Sequence, residues 1–240
     1  MDINEIKETL QEMSEQNYKE FSLKLINNSD LPLLGVRRPN VKKLAIKIYK
    51  SGNANEFLKI CDFSSIEMCI AYAYVLSFMK CDIRELLLYF DRAAAHVDNW
   101  CTCDTLCECF KQCGKHLSET LELLISYFES GKTYYMRIAA VMLMTYYLTD
   151  EYIDEALDLI GKYENADYYY KMGAAWFIAT ALAKQTDKTL RFMETCAIDD
   201  FTYNKAISKA VESRRITPEL KQRLKKMKKI SVSKKRESFT

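Results

Sequence analysis

Apolar residues recur along this chain at the three- and four-residue spacing of helices, from the first residues to beyond 210. Ile6, Leu10, Met13, Phe21 and Leu25 mark the apolar side of a first amphipathic helix over roughly 3–27. The segment LeuLeuGlyValArgArgPro at 33–39 reads as a turn that restarts a helix, with Pro39 suited to its first position. The same pattern predicts helices near 39–50, 54–61, 64–79, 82–97, 99–113, 116–129, 132–148, 150–162, 166–184, 187–195 and 200–213, with a short basic one after Pro218. Gly52, Gly114, Gly131 and Gly161 fall in the gaps, where helix C-termini favour glycine. No window alternates with period two, so essentially no sheet is expected.

A longer period overlies the helical one. TyrTyrMetArgIleAlaAla at 134–140 is nearly copied by TyrTyrLysMetGlyAlaAla at 169–175, which Trp176 closes. Arg137, Lys171 and Lys205 are 34 residues apart, each with a tyrosine two positions earlier (Tyr135, Tyr169, Tyr203). A fixed period of that size marks stacked two-helix repeats, in which equivalent side chains line up on one surface. Trp100 and Asp104, four apart, share one face of a single predicted helix. An arginine–lysine–lysine row with two tryptophans and a carboxylate fits a polyanion-binding surface that contains a reacting centre.

Composition narrows the class. With 6 Gly, 3 Pro and 49% hydrophobic residues among 240, the chain suits an all-helical fold over a sandwich or a nucleotide-binding α/β fold. The expected architecture is one solenoid domain of about six helix pairs over 1–229, followed by a flexible basic tail at 230–240. The net charge of +2 is uneven: 221–236 holds nine Lys or Arg and no acid, leaving 26 basic against 32 acidic residues in 1–220. A nucleic-acid surface must then be a local stripe plus the basic end. The opening is polar and lacks a secretory pattern, and the longest apolar stretch, Met68 to Met79, is too short for a bilayer, so a cytoplasmic location is expected. Five of the nine cysteines, Cys101, Cys103, Cys107, Cys109 and Cys113, cluster on one predicted helix. Without a CxxC pair or a nearby His-x3-His, reduced core thiols are the better reading than a metal site. His96 and His116 read as structural.

At these residues the chain resembles the AlkD-type DNA alkylation repair proteins, DNA glycosylases built from HEAT-like helical repeats. The likeness covers roughly 20–215. It begins with LeuGlyValArgArgPro at 34–39 and continues with Trp100 and Asp104, which fit the family's tryptophan and catalytic aspartate. Arg137 fits its arginine within an aromatic–x–x–Arg–x–Ala–Ala helix start, and Trp176 its second tryptophan. The resemblance implies a right-handed α-α superhelix with a concave binding face. It also implies excision of N3- and N7-alkylated purines from double-stranded DNA, without metal or nucleotide cofactor and without swinging the base into a pocket. Two departures mark a divergent subgroup. Cysteines replace the second carboxylate and aromatics usual beside the catalytic tryptophan, and Phe177 to Thr180 lack the arginine the family often carries after its second tryptophan.

The chemistry stands beside the resemblance. A purine alkylated at N3 or N7 is cationic and departs neutral, so no general acid is needed. What the reaction needs is an anion beside the developing oxocarbenium and a base for water, both of which Asp104 supplies. Trp100 and Trp176 would flank the deoxyribose, each contributing ~0.5–2 kcal/mol of cation–π attraction. Arg137 would hold the adjacent phosphate, with Lys171, Lys205 and the basic C-terminal run adding salt-sensitive affinity. Internal roles stay open: Arg137 and Lys171, near helix starts, can pair with acids such as Asp167 or Glu151. A monomer is expected. Two rivals remain, a DNA-structure binder without turnover on the same scaffold and a peptide-binding helical scaffold.

Overall fold

The computed structural model describes residues 1–26 and 29–229; the tail expected at 230–240 lies outside them. Among the described residues there are fourteen α-helices, one 3-10 helix and no strand. The chain is all-α. The described residues group into two compact units, Met1–Leu123 and Leu124 onward.

The first unit holds α1 (Ile3–Glu12), α2 (Gln16–Leu23), α3 (Arg38–Lys50), α4 (Ala54–Ile60), α5 (Ile66–Phe78), α6 (Ile83–Ala94) and α7 (Trp100–Cys109), then the 3-10 helix Lys111–Lys115. The division falls inside α8 (Leu117–Glu129). The second unit continues with α9 (Thr133–Tyr146), α10 (Ile153–Lys162), α11 (Tyr168–Lys184), α12 (Thr186–Thr195), α13 (Asp200–Glu212) and α14 (Pro218–Met227). Within each unit every second helix packs on the next: α3 on α5 and α5 on α7, then α9 on α11 and α11 on α13. This is the helical-repeat arrangement that the 34-residue period predicts.

The two helix types differ in how they bury apolar surface. The middle helix α5 is buried almost all round, from Ile66 through Leu76, and α9 is buried from Met136 through Met144. Packed against both α3 and α7, α5 has no polar face to keep. Helices such as α6 and α10 instead bury one stripe, Ile83–Leu86–Phe90–Ala93 and Ile153–Ala156–Leu157–Ile160. The alanine pairs Ala139–Ala140 and Ala174–Ala175, all buried, leave room for close approach of α9 and α11. None of the described helices is long and apolar enough to cross a membrane.

Three boundaries depart from the hydrophobic pattern, each for a local reason. The helix expected over 3–27 breaks between α1 and α2 because the chain there is captured by the 34–35 turn. The Ser14 hydroxyl donates to the Leu34 carbonyl and the Glu15 amide to that of Gly35, at 3.0 Å. The helix expected over 99–113 stops at Cys109, since Phe110 leaves helical geometry and is fully buried; Gly114 lies in the 3-10 helix that follows. Gly161 is no cap. It lies within α10, where an added Cβ would stand 2.9 Å from the Phe192 ring, so close packing explains it.

Candidate functional site

The turn before α3 is fixed by a buried carboxylate. Glu67, near the start of α5 and 1% exposed, accepts from three successive backbone amides: Leu34 at 2.9 Å, Gly35 at 2.7 Å and Val36 at 3.1 Å. Gly35 has φ +92°, and a Cβ there would lie 2.6 Å from that of Lys19, so only glycine fits. The turn hands the chain to α3 with Pro39 in its first turn, and Arg38 then reaches α7.

On α7 the start is held from several directions. Asn99, fully buried, caps the helix by accepting from the Thr102 amide at 3.0 Å. Asp98 accepts from the Ser29 hydroxyl (2.8 Å), the Asp30 amide (2.7 Å) and the Asn99 side chain (2.8 Å). The Trp100 indole N–H donates to the Leu25 carbonyl at 3.1 Å. Trp100 and Asp104 therefore share one half-buried stripe of a helix whose first turn cannot swing. On the neighbouring stripe, Arg38 donates to the Thr105 hydroxyl, which donates to the Cys101 carbonyl at 2.6 Å. Burial works against the Arg38 charge, but Tyr74, Cys101 and Glu108 outweigh it and hold its pKa above the ordinary value.

The cysteines of α7 behave as small apolar side chains. None of the nine cysteines is in a disulfide, and Cys103, Cys107, Cys109 and Cys113 are buried. Burial pushes Cys109 up to about 11, with Glu108 adding to the shift, and raises Cys101 against the pull of Arg38. Such thiols stay protonated and unreactive at neutral pH. His96 stacks on Phe63 with ring centres 4.1 Å apart, and His116 meets Glu119 at 3.4 Å.

In the second unit Arg137 and Lys171 each reach from one helix to the start of another. Arg137 on α9 is 5% exposed, and its Nη1 donates to the Tyr169 carbonyl in the first turn of α11 at 2.9 Å. Its aliphatic stem crosses α11 at Gly173, where a Cβ would stand 3.3 Å from Arg137 Cγ. Lys171 on α11 pairs at 3.2 Å with Asp199, the N-cap of α13. Burial opposes the Asp199 charge, yet hydrogen bonds from the Thr202 hydroxyl and amide and from Lys171 hold its carboxyl below the usual range. The acid near Lys171 in sequence, Asp167, instead caps α11 through the Tyr169 amide. Lys205 on α13 is half-buried.

Trp176 lies apart from those ties. It is 38% exposed and lines a groove of about 630 Å³ with Met144 and Thr145 of α9, Ala179 and Thr180 of α11, and Lys184, Lys209 and Arg215. Among the described residues Glu212 is the one acid that lines the groove, so three cations meet one carboxylate around an open indole. Lys205 stands one helical turn before Lys209 on α13.

A family model described as DNA alkylation repair enzyme matches residues 6–230. The chain belongs to that family. The match takes in α1 and α14, beyond the 20–215 over which the motifs are legible. No curated protein matches the chain. Against the family background, sequence reasoning missed Arg38, Glu67 and the groove cations. Arg38 left a trace as the second arginine before Pro39. Lys184, Lys209 and Arg215 left none, because they gather from three elements without a common spacing.

Proposed function

We propose that this member of the DNA alkylation repair family is a DNA N-glycosylase that hydrolyses the bond between deoxyribose and an N3- or N7-alkylated purine in duplex DNA. The observation that carries the reading is the half-buried pair Trp100 and Asp104 on one stripe of α7, whose first turn is held by Asn99, Asp98 and the Leu25 carbonyl. Preorganised charge, immobile before the reaction, is what stabilises a developing cation without further reorganisation. Asp104 acts as the anion beside the sugar and as the base that orients water. Trp100 presents its ring beside the same sugar, its N–H being already engaged. The alkylated base leaves neutral, so the reaction calls on no acid, metal or nucleotide cofactor.

The second unit contributes DNA affinity. Lys184, Lys209 and Arg215 neutralise phosphates along the Trp176 groove, with Lys205 extending the same side of α13. They supply the charge that Phe177 to Thr180 lack. Arg137 and Lys171 act by positioning: Arg137 ties α9 to α11 and Lys171 ties α11 to α13, which keeps Trp176 and Lys205 in register. The protein works on DNA as a monomer.

The test is chromatography of free bases after incubation with methylated duplex DNA. Release of 3-methyladenine or 7-methylguanine above the spontaneous rate, with chelator present, supports the glycosylase reading. Tight binding without release favours the rival of a non-catalytic DNA-structure binder, for which the uncharged Ala179 and Thr180 beside Trp176 speak. Absence of DNA binding would leave the peptide scaffold.

A further inference from the structure

Helix α3 and its flanks carry the most one-sided charge of the first unit. Residues 31–55 hold six Lys or Arg and no Asp or Glu, although 1–220 as a whole is net acidic. Arg37 is spent on Glu15, 2.9 Å away. The cations of α3 itself divide by face. Val41, Leu44, Ala45 and Ile48 are buried, while Lys43, Lys47 and Lys50 are exposed on the opposite side. Arg38 and Lys42, one turn apart, lie along the edge beside α5, where the Lys42 ammonium stands 5.8 Å from the centre of the Tyr74 ring.

The two edge cations are in different states. Arg38 is tied down: it donates to the Thr105 hydroxyl of α7, stands beside the Tyr74 hydroxyl, and has its Nε buried without a partner. Lys42 is exposed and makes no ion pair among the described residues. Glu108 of α7 is near enough to act on Arg38, which leaves the Lys42 charge over. Burial raises the Tyr74 pKa more than Arg38 lowers it, so the hydroxyl keeps its proton at neutral pH. Arginine only donates, so it leaves that proton for an acceptor, and none of the described residues takes it.

We propose that Lys42 and Tyr74 form a phosphate subsite in the first unit, positioned by Arg38, for the DNA strand that passes Asp104. The proposal rests on the DNA reading of Trp100 and Asp104. An ammonium and a phenol proton side by side, neither with an acceptor of its own, suit a phosphate oxygen. Arg38 links this edge to Thr105, the residue after Asp104, and α3 packs on α5 as α5 packs on α7. The spacing from phosphate to carboxylate is therefore set by packed helices. A carboxylate brought against a polyanion is repelled by it. A phosphate contact on the same unit offsets that repulsion and holds the sugar in register for Asp104.

The test places a methylphosphonate, which removes the charge of one phosphate, at each linkage in turn around a single 7-methylguanine in a duplex. Binding in the cold and base release are measured for full-length wild type, Lys42→Ala, Tyr74→Phe and Arg38→Lys. Lys43→Ala, which removes the same charge from the outer side of α3, is the control, and unchanged thermal melting checks folding. Wild type should lose about tenfold in affinity at one linkage. Lys42→Ala and Tyr74→Phe should bind the natural duplex more weakly and be indifferent to neutralisation there, whereas Lys43→Ala keeps the wild-type sensitivity. Arg38→Lys, which keeps the charge but not the fork, should blunt the sensitivity at that linkage and no other. Lys42→Ala should also lower the slope of log affinity against log salt by about 0.9. If Lys42→Ala and Tyr74→Phe respond like wild type at every linkage while base is released, the subsite is overturned and the glycosylase reading stands. A sensitive linkage that vanishes with Lys42 in a protein that releases no base would do the reverse. No DNA binding at all would overturn both.

Discussion

Removal of the Glu67 carboxylate should weaken the first unit more than any surface change. Its oxygens accept from three successive amides at 2.7–3.1 Å, two of them in buried contacts, and the group is 1% exposed, so water cannot replace it. Charge-assisted hydrogen bonds contribute roughly 1.5–3 kcal/mol each, and a buried donor left unpaired costs roughly 1–3 kcal/mol. Relief of the carboxylate's own desolvation offsets part of that sum. The net expectation is about 4 kcal/mol for Glu67→Ala, near the upper end for single substitutions. Glu67→Gln, which keeps one acceptor oxygen but turns an NH2 toward the amides, should cost about 2 kcal/mol. Each unit carries one tryptophan, which makes the assay selective: in a Trp176→Phe background, Trp100 fluorescence follows denaturant unfolding of the first unit alone. A loss below about 1 kcal/mol for Glu67→Ala would refute the claim that this carboxylate holds the turn. The same variants should also lower base release, because the turn places Arg38 against Thr105, the residue after Asp104.

Three further outcomes follow from the second unit. Gly173→Val should lower the melting temperature by several degrees, about 2–4 °C per kcal/mol lost, because its side chain enters the space of the Arg137 stem, whereas Gly173→Ala gains helix propensity and should stay near neutral; equal melting of Val and wild type would contradict the contact. Lys184→Ala, Lys209→Ala and Arg215→Ala should each weaken DNA binding regardless of sequence and reduce the slope of log affinity against log salt by about 0.9, and an unchanged slope would remove that residue from the interface. The Asp199 carboxyl is held low in the folded protein, so its stabilising contribution is complete above the ordinary aspartate range and is lost as pH falls through the folded value. Asp199→Asn should therefore flatten the loss of stability below about pH 4, and an acid limb identical to wild type would contradict the Lys171 and Thr202 contacts.

The sequence carried the helices well because their stripes are local. Repetition of TyrTyr-x-x-x-AlaAla marked α9 and α11 as equivalent, and the structure packs them together. It was silent where distant backbone decides the outcome. Nothing in residues 3–27 foretells that Ser14 and Glu15 bond to the 34–35 turn and split the helix, and nothing in Gly161 announces the Phe192 ring. The candidate site was legible in part for the same reason. Trp100 and Asp104 share a stripe by spacing alone, but the direction of a long cation is not set by spacing. Arg137 and Lys171 look alike in the repeat as a phosphate-binding row, yet one finds a carbonyl of the next helix and the other its capping aspartate. The cations around Trp176 assemble from α11, α13 and the segment beyond, a grouping only the packed chain creates.

The measurement closest to the central claim is single-turnover base release from methylated duplex DNA by wild type and Asp104→Asn, with DNA affinity measured alongside. The account predicts release by wild type, a fall of about 100-fold or more in Asp104→Asn, and unchanged affinity, since the carboxylate serves the developing sugar cation rather than the bound duplex. Equal release by the two proteins, or binding without release by wild type, would contradict it.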